Sequence, residues 1–141
     1  MGKTLFADIP GNRFSVALEA AASGATNTAQ SIGYFVAPAD IKLEQVLGAF
    51  EAAWTGQATN FQTTSVVNLG TAGAGTTAMA SLAWSSTDIA VGSGAVEEIP
   101  LSSTPANLLA SSGEVIIYKI AATSSGQAYP KHHVTLEFSY Q

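Results

Sequence analysis

The chain has no cysteine, and this excludes disulfide bonds, thiolate metal sites, iron–sulfur clusters and cysteine nucleophiles. It also has little charge, since Asp, Glu, Lys and Arg make up 11% of the residues, against about 25% in ordinary soluble domains. Five basic residues stand against ten acidic ones, and the closest group of basic side chains is Lys131, His132 and His133. Without a larger basic cluster, the chain is not expected to bind nucleic acid directly, because such binding neutralises phosphates with Lys and Arg.

Long apolar runs are missing as well. The longest stretch without a charged residue, Ala52 to Thr87, is interrupted throughout by Gly, Ser, Thr, Asn and Gln, whereas a spanning helix needs roughly 20 apolar residues in a row. The first residues lack the apolar core of a signal peptide, and Phe6 stands where a myristoylation motif has Ser or Thr. We therefore expect a soluble protein with no membrane partner, made and kept, or assembled, inside a cell.

The length of 141 residues is enough for one hydrophobic core, but not for two domains with a cleft between them. Residues 1–12 end in the turn signature Ile-Pro-Gly-Asn and precede the first segment in which apolar and polar residues alternate. We therefore predict an extended N-terminal arm over residues 1–12 and a single domain over residues 13–141.

Short segments with the pattern of β-strands recur through that domain, separated by Gly, Pro, Ser and Asn. The segment 114–122 is the strongest of them and is expected to be central, and the last segment alternates with Val134, Leu136, Phe138 and Tyr140 facing inward. This spacing predicts an all-β fold, a single jelly-roll-like β-sandwich of about eight short antiparallel strands. The predicted strands lie at residues 13–19, 32–36, 61–69, 76–84, 89–91, 96–101, 114–122 and 133–140.

The segment from Asp40 to Trp54 fits two patterns. Its large apolar residues fall at helical spacing, with Asp40 available as an N-cap, and periodicity alone slightly favours a helix. However, residues 41–44 alternate as a strand does, and Gly48 weakens a helix by about 1 kcal/mol relative to Ala.

The glycine-rich stretch Gly70 to Thr77 superficially fits a phosphate-binding loop. Thr76 stands in the place of the lysine that holds the phosphates, and a strand-like segment follows where a helix should begin. The stretch is therefore expected to be a long hairpin loop rather than a nucleotide site.

No constellation of residues predicts catalysis, a metal site or a cofactor. The adjacent His132 and His133 point to opposite faces of a strand and cannot bind one metal together, so we expect a pair that faces solvent or an interface. Glu97 and Glu98 also point apart, and no G-x-S-x-G nucleophile elbow is present. A metal-dependent jelly-roll enzyme of the cupin type needs a larger histidine set. We predict that the protein is not an enzyme.

Large aromatic side chains leave two interpretations open. Trp54, Trp84, Tyr34, Tyr129 and Tyr140 could form stacking platforms for a sugar, or they could fill the core, which we favour for a domain of this size. The low charge is more informative, because a β-domain with few lysines at its edges suits a protein that works inside an assembly.

Three stretches resemble small β-sandwich proteins that decorate, or cement, the heads of tailed bacteriophages. The stretches are GYFVAPADI at 33–41, AAWTGQATNFQT at 52–63 and VVNLGTAGAGT at 66–76, and Tyr129-Pro130 before the last strand also matches the family's plan. The resemblance covers about residues 32–141 and leaves the arm outside it. It implies that Asp40 to Trp54 is a strand, and we adopt that prediction.

The resemblance implies a structural virion protein on the outer surface of the capsid, assembled in the host cytoplasm. Such a protein binds across subunits of the major capsid protein, as a dimer or trimer, and stabilises the expanded head. The alternative is a carbohydrate-binding or head-fibre β-sandwich module that uses exposed aromatic residues.

The arm carries the predicted interface. Leu5, Phe6, Ile9 and Pro10 are apolar residues with no obvious role in a core, so we expect them to anchor the protein on the shell.

Overall fold

The computed structural model describes residues 12–24 and 29–141, which form two large antiparallel β-sheets and one small two-stranded sheet around a shared core. One short 3-10 turn, Pro105–Leu108, is present among them. The strands are β1 Arg13–Ala20, β2 Gln30–Val36, β3 Ile41–Phe50, β4 Trp54–Thr55, β5 Phe61–Gly70, β6 Thr77–Ala83, β7 Ala90–Val91, β8 Val96–Glu98, β9 Leu109–Ala110, β10 Val115–Thr123 and β11 His132–Tyr140. Over these described ranges the chain has no helix of the length and apolarity needed to span a membrane.

The strand pairs nest inside one another along the chain. The first strand pairs with the last, β2 pairs with β10, β3 pairs with β8 and β9, and β5 pairs with β6. Contacts between β11 and β3 and between β10 and β5 complete a five-stranded sheet, β1-β11-β3-β8 with β9 also on β3, and a four-stranded sheet, β2-β10-β5-β6. This is the arrangement of a jelly roll, so the predicted fold class is confirmed.

The side chains that alternate toward the interior of β11 are largely those that the sequence predicts. Val134, Leu136 and Phe138 on β11 are fully buried, whereas Tyr140 is only half-buried. The strand β10 lies between β2 and β5, which confirms its central position.

The segment from Asp40 to Trp54 is a strand followed by a short one, and the helical spacing has a local cause. The pairing of β3 with β11 changes register at one point, where Leu43 lies opposite Phe138 but Gln45 lies opposite Glu137. Glu44, between these two pairs, is therefore an extra residue in a β-bulge. The bulge shifts the alternation by one residue, so Ile41 and Leu43 are buried before it and even-numbered residues after it. A three-residue step between buried positions therefore imitates a helix.

Candidate functional site

The outer faces of the two sheets differ in charge. The five-stranded sheet carries surface ion pairs: Arg13 with Glu137 at 2.5 Å, and Lys131 with Glu19 at 3.5 Å. The four strands of the other sheet contain one charged residue, Lys119. Among the described residues Lys119 takes part in no ion pair. The outer face of the four-stranded sheet is thus the less charged of the two.

A polar row crosses this face from edge to edge. Lys119 on β10 lies opposite Ser31 on β2 and opposite Ser65 on β5, and Ser65 lies opposite Ser81 on β6. Directly opposed residues point to the same side of a sheet, so one ammonium group is flanked by hydroxyl-bearing side chains on both sides.

A less polar row lies beside the first. Ile117 on β10 is opposite Val67 on β5, which faces Ala78 on β6. Tyr34 projects next to Ile117 because β2 has a bulge at this point. The bulge includes Gly33, whose φ of +65° is rarely adopted by residues that carry a side chain. Tyr34 is 69% exposed, whereas Ile117 and Val67 are buried, so the tyrosine ring is the large side chain of this row that a partner can contact.

The two rows and the loop between β5 and β6 enclose a groove of about 440 Å³. Gly75 holds this loop against the strand, donating its N–H to the Leu69 carbonyl at 2.8 Å, and a Cβ at Gly75 would approach the carbonyl carbon of Leu69 to 2.8 Å. Since β6 follows the loop directly, the glycine-rich stretch is a hairpin loop, as predicted, and not a phosphate-binding loop. Its conformation sets one wall of the groove.

The groove combines polar and apolar groups that can recognise a ligand. Lys119 is exposed at the centre of the polar row. Its ammonium group and the neighbouring serine hydroxyls can bind a carboxylate, and the exposed ring of Tyr34 can contact an apolar side chain. A protein segment that presents both groups fits this surface.

The two histidines have different environments, and the prediction of a solvent-facing or interface pair is wrong for one of them. They point to opposite faces, as expected, so His133 is exposed but His132 is fully buried. The ring of His132 stacks on Phe50 with centroids 4.6 Å apart. Burial lowers the pKa of His132, so the ring is a neutral part of the core.

The tryptophans cannot form a platform for sugars. Trp54 and Trp84 are buried and stack on each other with ring centroids 3.9 Å apart, and Tyr129 is buried beside Trp54. The core interpretation of these three residues is therefore correct. Of the five aromatic candidates, Tyr34 is the one on an exposed surface.

The predicted interface residues Leu5, Phe6, Ile9 and Pro10 lie outside the described residues. The groove, in contrast, was missed by the sequence analysis. Alternation indicates that Lys119 and Ile117 share one face of β10, but the register that brings Ser31, Ser65 and Ser81 beside Lys119 is a property of the assembled sheet.

No protein-family model and no curated protein matches the chain. Among solved structures it is similar to T=1 particles derived from infectious bursal virus, with 14% identity and a TM-score of 0.46 over 93% of this chain and 32% of that chain. A second similar structure is the VP2 subviral particle of infectious bursal disease virus, with 14% identity and a TM-score of 0.45 over 92% of this chain and 33% of the other. This chain thus spans about a third of the solved chains that it matches. The jelly-roll assignment rests on the strand pairing and not on these likenesses.

Proposed function

We propose that the protein is a structural virion protein that decorates, or cements, the outer surface of a bacteriophage capsid. In this role it binds across subunits of the major capsid protein, stabilises the expanded head and joins the virion in the host cytoplasm. The observation that carries the proposal is the contrast between the two outer faces, one with ion pairs and the other with Lys119 as its single charge. The resemblance to phage decoration proteins over residues 32–141 supports it independently.

The weakly charged face suits a protein that binds a shell because covering it costs little. Small residues such as Ser65, Ser81 and Ala78 lose few strong contacts with water when a partner covers them, whereas a charged face pays a desolvation penalty. Lys119 then pairs with a carboxylate of the capsid subunit and fixes the orientation of the two surfaces. The four-stranded sheet is the face that we assign to the shell.

Attachment by many weak contacts explains how a small domain can reinforce a large shell. Each copy that touches several subunits at once binds more tightly than any of its single contacts, because the later contacts form within an existing complex. A ligand that binds only the expanded shell also stabilises that state by mass action. The arm, with Leu5, Phe6, Ile9 and Pro10, adds a second point of attachment.

Co-sedimentation tests the proposal. Purified protein is mixed with undecorated, expanded heads of the phage that encodes it, and bound copies are counted per shell over a range of concentrations. Saturation at a fixed number that matches a symmetry element of the capsid lattice is expected. A folded protein that stays in the supernatant at all concentrations contradicts the proposal.

The carbohydrate-binding alternative has lost its main support, since both tryptophans and Tyr129 are in the core. Tyr34 could still stack on a sugar ring in the groove. Glycan binding that is abolished by Tyr34→Ala, together with no binding to shells, would favour that alternative.

A further inference from the structure

In the part of the chain that the structure describes, the edge of the five-stranded sheet at β1 has no neighbouring strand. At one end of β11, the Tyr140 N–H donates to the Asn12 carbonyl, on the side of β1. On the side of β3, the Lys131 carbonyl accepts from the Glu51 N–H, and the Gln141 N–H donates to the Asp40 carbonyl. The N–H and C=O groups of even-numbered β11 residues therefore point toward β1, where they bond even-numbered residues. Because these groups alternate in direction along a strand, the N–H and C=O groups of odd-numbered β1 residues point away from β11. Within residues 12–24 and 29–141, no backbone hydrogen bond reaches these groups of Arg13, Ser15, Ala17 and Glu19 from another strand.

The interior is also incompletely covered at this edge. Phe14, Val16 and Leu18 point inward from β1 but are only half-buried. Their cross-strand partners on β11, among them Leu136 opposite Val16, are fully buried. Neither Lys nor Pro, the residues that commonly protect an edge strand, occurs in β1. An added strand would both satisfy the free peptide groups and cover this apolar border.

The sequence of β1 is complementary to itself in one antiparallel register. With two copies related by a two-fold axis at Val16, Arg13 lies opposite the partner's Glu19, and Phe14 lies opposite the partner's Leu18. In this register odd-numbered residues of the two copies lie opposite each other, so their outward N–H and C=O groups can form hydrogen bonds across the seam. Sliding the partner by two residues in either direction separates the opposite charges, so charge selects this register.

We propose that the open edge of β1 binds β1 of a second copy of this chain and forms a two-fold dimer with one continuous sheet. Arg13, which also pairs with Glu137 of its own chain, lies beside the partner's Glu19 at each end of the seam, and the two Val16 side chains meet at its centre. The axis stands perpendicular to the sheet, so both four-stranded sheets lie on the same side of the dimer. If the groove binds shells, which rests on the proposed function, the dimer presents two grooves to one surface.

Charge reversal tests the register with the full-length chain. The mass of the wild-type protein, measured by light scattering during size-exclusion chromatography, is expected to be twice 14.4 kDa. Arg13→Glu sets two carboxylates against each other at both ends of the seam, and Glu19→Arg sets two guanidinium groups against each other. Each variant alone is therefore expected to be a monomer. An equimolar mixture of the two variants restores opposite charges at both ends and is expected to yield a heterodimer. Lys42→Glu, an equal charge change on β3, is the control and should stay dimeric.

A backbone variant tests the seam without using charge. The N–H of Ala17 points to the open edge, so Ala17→Pro removes a hydrogen bond of the dimer but none of the bonds to β11. The variant should be a folded monomer with the circular dichroism of the wild type, whereas Ala17→Val should remain a dimer. If Ala17→Pro fails to fold, the mixing experiment decides alone.

A wild-type monomer at high micromolar concentration overturns the proposal, as does a trimer, because a two-fold seam closes at two copies. Charge variants that dimerise alone, or that stay monomeric after mixing, overturn it as well. These masses are measured without shells, so failure of the proposed function leaves them unchanged.

Discussion

The hydroxyl of Tyr118 lies 2.9 Å from Nε2 of His132 and joins the two sheets through the core, from β10 to β11. Nδ1 of His132 lies 2.8 Å from the carbonyl oxygen of Pro130, which can only accept, so Nδ1 carries the proton and Nε2 accepts from the phenol. Burial raises the pKa of Tyr118 and lowers the pKa of His132, so both groups are neutral. The pair is therefore a structural link, with no role in binding.

Removing the Tyr118 hydroxyl should destabilise the fold. Tyr118→Phe leaves Nε2 of His132 as a buried acceptor without its donor, which costs about 1–3 kcal/mol in the free energy of unfolding. Tyr34→Phe removes the same atom from an exposed side chain and should change stability by less than about 0.5 kcal/mol. Urea denaturation of both variants measures the difference, and equal effects would refute the structural role of the link.

Stability should fall with mild acidification because of His132. Its pKa in the folded state lies below the ordinary value of 6.5, so the unfolded chain takes up a proton that the folded chain resists. The contribution of neutral His132 to the free energy of unfolding is complete above pH 6.5. It is lost as the pH falls toward the pKa of His132 in the folded state, by at most about 1.4 kcal/mol per pH unit. The free energy of unfolding is measured between about pH 7.5 and pH 5.5, above the range in which carboxylates titrate.

Two histidine variants separate the buried ring from the exposed one. His132→Gln should be less stable overall and should lose the pH dependence in this window. His133→Gln should keep it, because His133 is exposed. A slope that disappears with His133 instead would contradict the assignment.

The bulge that presents Tyr34 should be intolerant of a side chain at Gly33. A Cβ there would lie 2.9 Å from Cδ1 of Leu18, and the residue also has a positive φ. Gly73 has a similar φ of +72° but open space around it. We expect Gly73→Ala to cost about 1–2 kcal/mol from backbone strain alone and Gly33→Ala to cost somewhat more, because the half-buried Leu18 side chain must also move away from the added Cβ. Thermal denaturation compares them, and Leu18→Ala should recover part of the additional loss.

Reversing the charge in the groove should weaken attachment to the shell. Lys119→Glu places a carboxylate where we propose that a capsid carboxylate binds, and the affinity should fall at least about tenfold, or 1.4 kcal/mol. Lys42→Glu makes the same charge change on the opposite sheet and is the matched control. Binding isotherms from co-sedimentation give both affinities, and equal losses would show that net charge, rather than this face, matters.

Removal of the N-terminal arm should leave the domain folded but abolish its binding to capsid shells. A chain without residues 1–10 is expected to remain folded, since the strands that form both large sheets lie within residues 13–141, and to lose binding to shells. Replacement of Leu5, Phe6 and Ile9 by Ser in the full-length chain separates apolar anchoring from mere length. Unchanged shell binding in both variants would exclude the arm as an anchor.

Much of this fold is predictable from the sequence because most strands have a recognisable local pattern. Alternation in β1 and β11 indicates both the strands and their inward faces, and turn residues mark most of the boundaries. In β3 local information is ambiguous, because the extra residue Glu44 changes the phase of the pattern, and only pairing with β11 reveals the cause. The short strand β9 and the 3-10 turn before it carry too little pattern to be predicted.

The candidate site was less predictable than the fold. Lys119 and its serine neighbours come from four separate strands, and their proximity depends on registers that long-range pairing sets. His132 shows the same limit, since a strand position next to an exposed histidine gives no indication of the Tyr118 hydroxyl that satisfies its ring.

The central claim is that the four-stranded sheet attaches this jelly roll to the outside of a capsid. Electron cryomicroscopy of expanded heads saturated with the protein tests it most directly, because the map shows both the site on the lattice and the face in contact. We predict ordered density on the outer surface, with Lys119 and Tyr34 turned toward the capsid subunits and the Arg13–Glu137 face turned to solvent. Density with the opposite orientation, or shells that remain bare at saturating concentration, would contradict the account.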